Sequence, residues 1–234
     1  MSPLVAAEEA QTANTDTWLV MPLYNEAAVI HGVITGALAV FPKIVCVDDG
    51  SNDGSASIAE GAGAYVVRHP VNLGQGAALQ TGFDFALTDP ETRFVVTFDS
   101  DGQHQVSDAL AMVSRMRHED VDVVLGSRFL DSRTKASPLK RLILKLAVVF
   151  TNLTTGVKLS DAHNGLRAFT AEALGSIRLR QNRMAHASEM VAQIGKAKLR
   201  YAEEPVHIVY TDYSRSKGQS LWNSVNILVE LILK

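Results

Sequence analysis

Short apolar runs rich in β-branched and aromatic residues recur along the first half of the chain, and each ends abruptly in polar or acidic residues. Runs of roughly four to eight such residues, bounded by turn-forming residues, read as buried strands. This places strands at residues 17–23, 43–47, 64–68, 94–98 and 121–125. Pro22 lacks an N–H, so the first ladder is expected to stop there. Between these runs, 27–40 and 106–117 have helical composition, and a helix is expected to follow the glycine-bearing loop at 72–79. Strands and helices that alternate over short connections predict a mostly parallel sheet with helices on both faces.

The second half changes character. Residues 142–153 are strongly apolar with Lys145 as their only charge, which reads as a core or dimer helix, or as a helix lying in a membrane interface. A polar loop at 161–169 leads into a strand, and 184–194 reads as a helix. Residues 199–210 are expected to form antiparallel strands around Pro205. The stretch 211–220 is polar, and 221–233 is an apolar helix. No repeat or linker interrupts the pattern. One domain is therefore expected at 17–220, with a polar, Ala-rich tail at 1–16 before it and an apolar or amphipathic helix at 221–234 after it.

The polar residues at the strand ends are the candidate chemistry, because ligands of open α/β sheets sit beyond the carboxyl ends of the strands. The run at 94–98 ends in Asp99-Ser100-Asp101-Gly102-Gln103-His104. Two carboxylates there aim hard oxygen ligands at the crevice. Mg²⁺ and Mn²⁺ take such oxygens and keep positions for water and substrate phosphate. The same residues also suit a helix N-cap. The second strand ends in Asp48-Asp49-Gly50-Ser51-Asn52-Asp53-Gly54-Ser55, a binding loop or plain turn chemistry, with Asp53 or Ser55 placed to cap the next helix. Asn72-Leu73-Gly74-Gln75-Gly76 runs into a helix whose first N–H groups either face a phosphate or simply start the helix.

Composition narrows the class. A chain of 234 residues with 47% apolar content supports one domain with a substantial core. A net charge of -3 argues against a nucleic-acid binder. The single cysteine, Cys46, lies in an apolar strand and reads as a buried thiol in a reducing compartment. The first residues lack the basic-then-apolar order of a signal peptide, and no apolar run approaches the ~20 residues that span a bilayer. Against the overall acidity stands one basic cluster, Arg128, Arg133, Lys135, Lys140 and Arg141, with Asp131 as its only acid.

Three segments, Val20-Met21-Pro22-Leu23-Tyr24-Asn25-Glu26, the Asp48 to Ser55 loop and Asp99-Ser100-Asp101-Gly102-Gln103-His104, occur in an order and spacing that resemble the family-2 inverting glycosyltransferases of the GT-A fold. The segment from Asp161 to Phe169 is similar to the Asp-then-Gly-Phe-Arg motif of the polyprenyl-phosphate sugar synthases, the dolichyl-phosphate mannose synthase group, with Leu166 in place of the aromatic. Arg215-Ser216-Lys217-Gly218-Gln219-Ser220 resembles that group's Arg-x-x-Gly-x-Ser. The resemblance implies a Rossmann-like, mostly parallel central sheet with helices on both faces and a small antiparallel element near the C-terminus. It implies transfer of a hexose from a nucleotide-diphosphate sugar, UDP ahead of GDP, to a polyprenyl monophosphate with inversion. Asp101, with Asp99 beside it and Gln103 as a weaker ligand, would hold Mg²⁺ or Mn²⁺. Pro22, Tyr24, Glu26, Asp49, Gly76, Asp99 and Ser100 would bind the nucleotide, and Arg215 and Lys217 would close over its diphosphate. Arg128 and Arg141, helped by Arg133 and Lys135, would gather the acceptor phosphate, and Asp161 stands where the group has its base. His104 and His163 adjoin these motifs, while His186 and Glu189 read as helix-surface residues ahead of residues that face the acceptor. Relatives of this group often carry transmembrane hairpins. This chain has one apolar helix at that point, so a cytoplasmic, peripheral location with a membrane surface or a small anchoring partner is expected; a homo-oligomer fits as well.

Three other readings share parts of this pattern. Transfer to a sugar hydroxyl in cell-envelope glycan synthesis shares the donor half, but gives no reason for the basic cluster and the apolar helix. A nucleotidyltransferase requires a glycine-rich loop with a basic residue after the first strand, where this chain has Tyr24-Asn25-Glu26. An inactive binding module would not need carboxylates at 99, 101 and 161.

Overall fold

The computed structural model describes residues 14–130, 148, 152, 155–161 and 164–209. Seven strands form one sheet: β1 (Thr17–Leu23), β2 (Lys43–Asp48), β3 (Tyr65–Arg68), β4 (Phe94–Thr97), β5 (Val123–Ser127), β6 (Arg167–Thr170) and β7 (Tyr201–Pro205). Their spatial order is β3-β2-β1-β4-β6-β5-β7. The strands β3, β2, β1 and β4 pair in parallel, as do β5 and β7, whereas β6 is antiparallel to both of its neighbours. One reversed strand thus stands inside a sheet that otherwise points one way.

The strand patterns alternate, yet both faces are buried. Trp18, Val20, Val45, Val47, Val95, Val123 and Leu125 face one core layer, together with Phe83 and Leu79 of helix α3 (Gln75–Ala86), Leu174 of α5 (Ala171–Gly175) and Met190, Val191 and Ile194 of α6 (His186–Lys196). Leu19, Met21, Leu23, Ile44, Cys46, Phe94, Val96 and Val124 face the other. They meet Ile30 and Ile34 of α1 (Ile30–Leu38), Ala59 of α2 (Ser55–Gly61) and Met112 and Val113 of α4 (Val106–His118). Helices on both faces remove water from every central strand, which is why these runs lack polar positions. Burial pushes the Cys46 thiol up to about 12, so it is an inert core group.

Two expectations are corrected. Pro22 does not stop the first strand, because pairing with β2 runs on to Leu23 opposite Asp48. Leu23 O accepts from Asp49 N on the β2 side, so the missing N–H of Pro22 faces β4, whose pairing with β1 has already ended at Val20 opposite Thr97. No ladder bond is lost. Residues 201–205 form one strand that pairs in parallel with β5, not antiparallel strands around Pro205. The antiparallel element is β6. Most of the apolar segment 142–153, and the stretches at 1–13 and 210–234, lie outside the described residues.

Candidate active site

Because β6 runs backwards, its N-terminal end meets the edge where β1, β2, β4 and β5 finish. A cavity of about 460 Å³ opens there. Its lining combines Pro22, Tyr24 and Glu26 after β1, Asp49 after β2, Asp99, Ser100 and Asp101 after β4, and Asn164, Gly165 and Arg167 at the start of β6. The loop residues Asn72, Gly74 and Gln75 and the α6 residues His186 and Met190 complete it.

Local hydrogen bonds fix each wall. Asn25 sits in the left-handed region with φ of 54°, its N–H donating to Ser51 Oγ at 2.9 Å, while Glu26 N donates to Ser55 Oγ at 2.8 Å and Ala27 N to Asp53 Oδ2 at 3.0 Å. The loops after β1 and β2 are thereby laced together. Asp53 accepts from Ser55 as a turn residue, and the position before α2 is Gly54. Asp49 accepts from Leu73 N (2.8 Å), Gly74 N (2.7 Å) and His69 Nδ1 (2.8 Å), and His69 Nε2 meets Thr81 Oγ1 at 2.9 Å. Its carboxylate therefore shapes the 72–75 loop, and its face on the cavity is narrow. Ser100 Oγ donates to Pro22 O at 2.7 Å, tying β4 to β1. Gly76 N donates to Asn182 O at 2.8 Å, and a Cβ on Gly76 would collide with Gln181 O and His186 Cβ. This glycine allows a close approach of chains, and its N–H is not directed at the cavity.

The two carboxylates at the end of β4 are held differently. Gln103 donates to Asp101 twice, from its backbone N (3.0 Å) and its side-chain Nε2 (2.7 Å). Burial, and then the charge of Asp99, raise the Asp101 carboxyl above its ordinary value. Asp99 Oδ1 accepts from Gln75 Nε2 at 3.3 Å. His104 Nδ1 accepts from Asp99 N at 3.0 Å, which leaves the ring proton on Nε2, 3.4 Å from Asp99 Oδ2. Gly165 lies directly beneath, where a Cβ would come within 2.7 Å of Asp99 Oδ2. Among the described residues no three or more His, Cys, Asp or Glu converge on a metal position. Two like-charged carboxylates on one cavity, one of them driven toward its neutral form by burial and then by the other, fit a divalent cation whose remaining positions come from phosphate and water. Gln103 is tied to Asp101 in this arrangement.

Asp161 lies outside this cavity lining. It is 3% exposed and takes Arg128 in a two-pronged pair, Nε at 2.6 Å and Nη2 at 2.8 Å, and also accepts from Arg128 N at 3.2 Å. Glu203 of β7 accepts from Ser160 N at 2.9 Å and Asp161 N at 3.3 Å and so sets this turn. Arg167 is fully buried and feels both Asp161 and Asp99; burial lowers its pKa to about 10, and it remains charged. His186 is 7% exposed and lines the cavity, which corrects its reading as a helix-surface residue. Glu189 accepts from Arg180 N and Gln181 N, closing the turn before α6. Sequence reasoning did not single out Thr97, Gln75 or Glu203, which carry no motif signal. Arg133, Lys135, Arg141, His163, Arg215 and Lys217 lie outside the described residues.

Comparison with known proteins decides the class, since the model for glycosyl transferase family 2 matches residues 18–178. The chain belongs to this family. This family-2 glycosyltransferase is 35% identical to an uncharacterized protein of Methanocaldococcus jannaschii over 94% of its own length and 92% of that protein's. It is 29% identical to the UDP-N-acetylglucosamine–dolichyl-phosphate N-acetylglucosaminyltransferase of Methanococcus voltae, over 92% and 94% of the two chains. Among solved structures it superimposes on glucosyl-3-phosphoglycerate synthase from Mycobacterium tuberculosis in complex with Mg²⁺ and UDP, with a TM-score of 0.67, 20% identity and coverage of 91% and 76%. The phosphoglyceric acid complex of the same synthase gives a TM-score of 0.71 at 18% identity, over 99% and 83%. The glycosyltransferase shares the GT-A fold of these neighbours, and its sheet is mostly parallel with one reversed strand, β6. No helix among its described residues is long and apolar enough to cross a membrane.

Proposed function

We propose that this glycosyltransferase moves a hexose, with inversion, from a nucleotide-diphosphate sugar to a polyprenyl monophosphate at the cytoplasmic face of a membrane. One observation carries the donor half: Asp99 and Asp101 share a single cavity with Pro22, Tyr24, Glu26 and Asp49. The lipid acceptor draws its support from the Methanococcus voltae relative, which matches nearly end to end and is named for a dolichyl-phosphate acceptor. Its UDP donor, and the UDP in the mycobacterial complexes, favour UDP over GDP here.

Asp101 and Asp99 would hold Mg²⁺ or Mn²⁺, and the bound cation would neutralise charge on the departing diphosphate. The exposed ring of Tyr24 packs on the base, and Glu26 accepts from the nucleoside. The 72–75 loop, braced by Asp49, walls the diphosphate, and Arg215 and Lys217 close over it by resemblance to the group's closing motif. The acceptor phosphate is already largely ionised near neutral pH, with a second pKa of about 6, so its oxygen attacks the anomeric carbon with little need of a base. Asp161 then works by aiming Arg128 at that phosphate, alongside Arg133, Lys135 and Arg141.

The test is transfer of radiolabelled hexose from UDP-glucose, UDP-N-acetylglucosamine or GDP-mannose, with Mn²⁺ or Mg²⁺, to polyprenyl phosphate in vesicles. Organic-extractable, acid-labile label supports the reading. Label that passes only to glycan hydroxyls, or no metal-dependent binding of any nucleotide sugar, overturns it.

A further inference from the structure

Two residues of the cavity lining, Asn164 and His186, each keep a polar side-chain atom that makes no hydrogen bond within the protein. Asn164 is 4% exposed, and its Oδ1 accepts from Leu166 N at 2.8 Å, which fixes the orientation of the amide. Its Nδ2 then has no acceptor, the one buried side-chain nitrogen or oxygen among the described residues in this condition. Native interiors rarely keep such an orphan donor unless something else completes it. His186 is the second group. Its Nδ1 lies 2.8 Å from Arg183 O and must carry the proton, so Nε2 is left as a bare acceptor. Burial, reinforced by the charge of Arg167, holds the imidazole neutral.

Arg167 brings the two together. Its Nε donates to Asn164 O at 3.0 Å and its Nη1 to Ala187 O at 3.4 Å, so one buried guanidinium ties the turn before β6 to the first turn of α6. Nη1 also meets Met190 Sδ at 2.9 Å, and the cation faces inward toward Asp99 and Asp161. Asn164, Arg167 and His186 all line the cavity that Asp99 and Asp101 enter.

We propose that Asn164 and His186 form a hydroxyl-reading subsite for the transferred sugar, with Asn164 Nδ2 donating to a sugar oxygen and His186 Nε2 accepting a hydroxyl proton. A donor and an acceptor in one cavity lining suit a neutral polyol, because a hydroxyl both accepts and donates. A uronate carboxylate at this position would face the imidazole lone pair with no proton to offer it. The subsite selects neutral hexoses and N-acetylhexosamines. This inference rests on the nucleotide-sugar reading given above.

The test compares nucleotide with nucleotide sugar. Isothermal titration measures Mn²⁺-UDP, Mn²⁺-UDP-glucose, Mn²⁺-UDP-N-acetylglucosamine and Mn²⁺-UDP-glucuronate on the full chain and on Asn164→Asp and His186→Phe. Asn164→Asp keeps the bond to Leu166 N but removes the donor, and His186→Gln serves as a second variant that restores an acceptor. The expected result is a loss of about 10-fold or more in affinity for the neutral sugar nucleotide that binds best. UDP affinity stays within about two-fold, which also reports that the variants fold, and His186→Gln recovers part of the loss. Unchanged discrimination between UDP and its sugars in both variants, or preference for the glucuronate, overturns the subsite. Failure of the unmodified protein to bind Mn²⁺-UDP at all instead overturns the underlying donor reading.

Discussion

At the scale of single residues, the half-buried Asp101 and the buried Asp161 are two carboxylates whose surroundings set them apart. Burial and the charge of Asp99 hold Asp101 above its ordinary 3.8. The folded chain then keeps a proton that the unfolded chain has lost, so stability is greater at low pH and falls as pH rises through the raised value. In metal-free buffer the stability of wild type minus that of Asp101→Asn, from urea titrations across pH, should fall as pH rises, and the substitution should lower turnover by about 10²-fold or more. A difference that does not fall with pH counts against the assignment. Asp161 has instead a permanent cation, with its side chain 1% exposed against 13% for Arg128. Asp161→Ala and Arg128→Ala are each expected to cost about 3–5 kcal/mol, because each removes one partner of a buried ion pair. The double variant should cost less than the sum, and a double-mutant cycle by urea denaturation measures the coupling. If Asp161 aims Arg128, Asp161→Asn raises the KM for polyprenyl phosphate with UDP binding intact; if it were a base, kcat would fall and its acid limb would shift. The acidic motifs were legible because hard oxygen ligands at a strand end are a chemical signature. The pairing of Asp161 with Arg128 was not, because it joins residues 33 positions apart and no local pattern announces it.

At the scale of elements, helix α3 lies close against β1 because Gly82 offers no side chain. A Cβ at Gly82 would collide with Val20 Cγ1 and stand 3.3 Å from Val47 Cγ2. Both valines are fully buried and stiff at χ1, so they cannot turn aside. Gly82→Ala should therefore destabilise by about 1–3 kcal/mol despite its better helix propensity, and a thermal melt against wild type checks the sign. At Gly36 of α1 nothing lies within 4 Å of an added Cβ, so Gly36→Ala should stabilise slightly, by up to about 1 kcal/mol. The strands and helices before residue 128 were legible because both-face burial leaves apolar runs that helices interrupt. The direction of β7 was not. Tyr201–Pro205 carries two glutamates and is half-buried throughout, and Glu203 is occupied with Ser160 and Asp161, so its composition reports a turn it supports more than the neighbour it pairs with. Pro22 was misjudged for a related reason: a proline ends a ladder only on the side its nitrogen faces.

At the scale of the whole molecule, the reversed strand β6 is what makes the cavity a junction. It brings Asn164 and Arg167 to the loops of β1, β2 and β4, so residues more than a hundred positions apart wall one space. The half of this wall that follows parallel strands could be read as motifs; Thr97 was hidden, and His186 was placed first on its helix surface, because only the sheet order shows what they face. On the proposed reading Asp99 and Asp101 would offer a cation two carboxylates, and among the described residues no third His, Cys, Asp or Glu joins them, so the rest of its coordination would come from the nucleotide. Metal and nucleotide must then bind as a linked pair, and the factor by which Mn²⁺ tightens UDP equals the factor by which UDP tightens Mn²⁺. Mn²⁺ alone should raise the melting temperature little. UDP and Mn²⁺ together at about 100 times their Kd should add about 2.7 kcal/mol, a shift of roughly 5–11 °C for a domain of this size. Asp101→Asn should abolish the linkage and keep weak, metal-independent UDP binding, because the Tyr24, Glu26 and Asp49 walls do not depend on it. A four-way melt with neither ligand, each alone and both decides the matter. Additive shifts in the wild type mean that the cation and the diphosphate do not share the cavity, whereas a cooperative shift lost only in the variant places both at the end of β4.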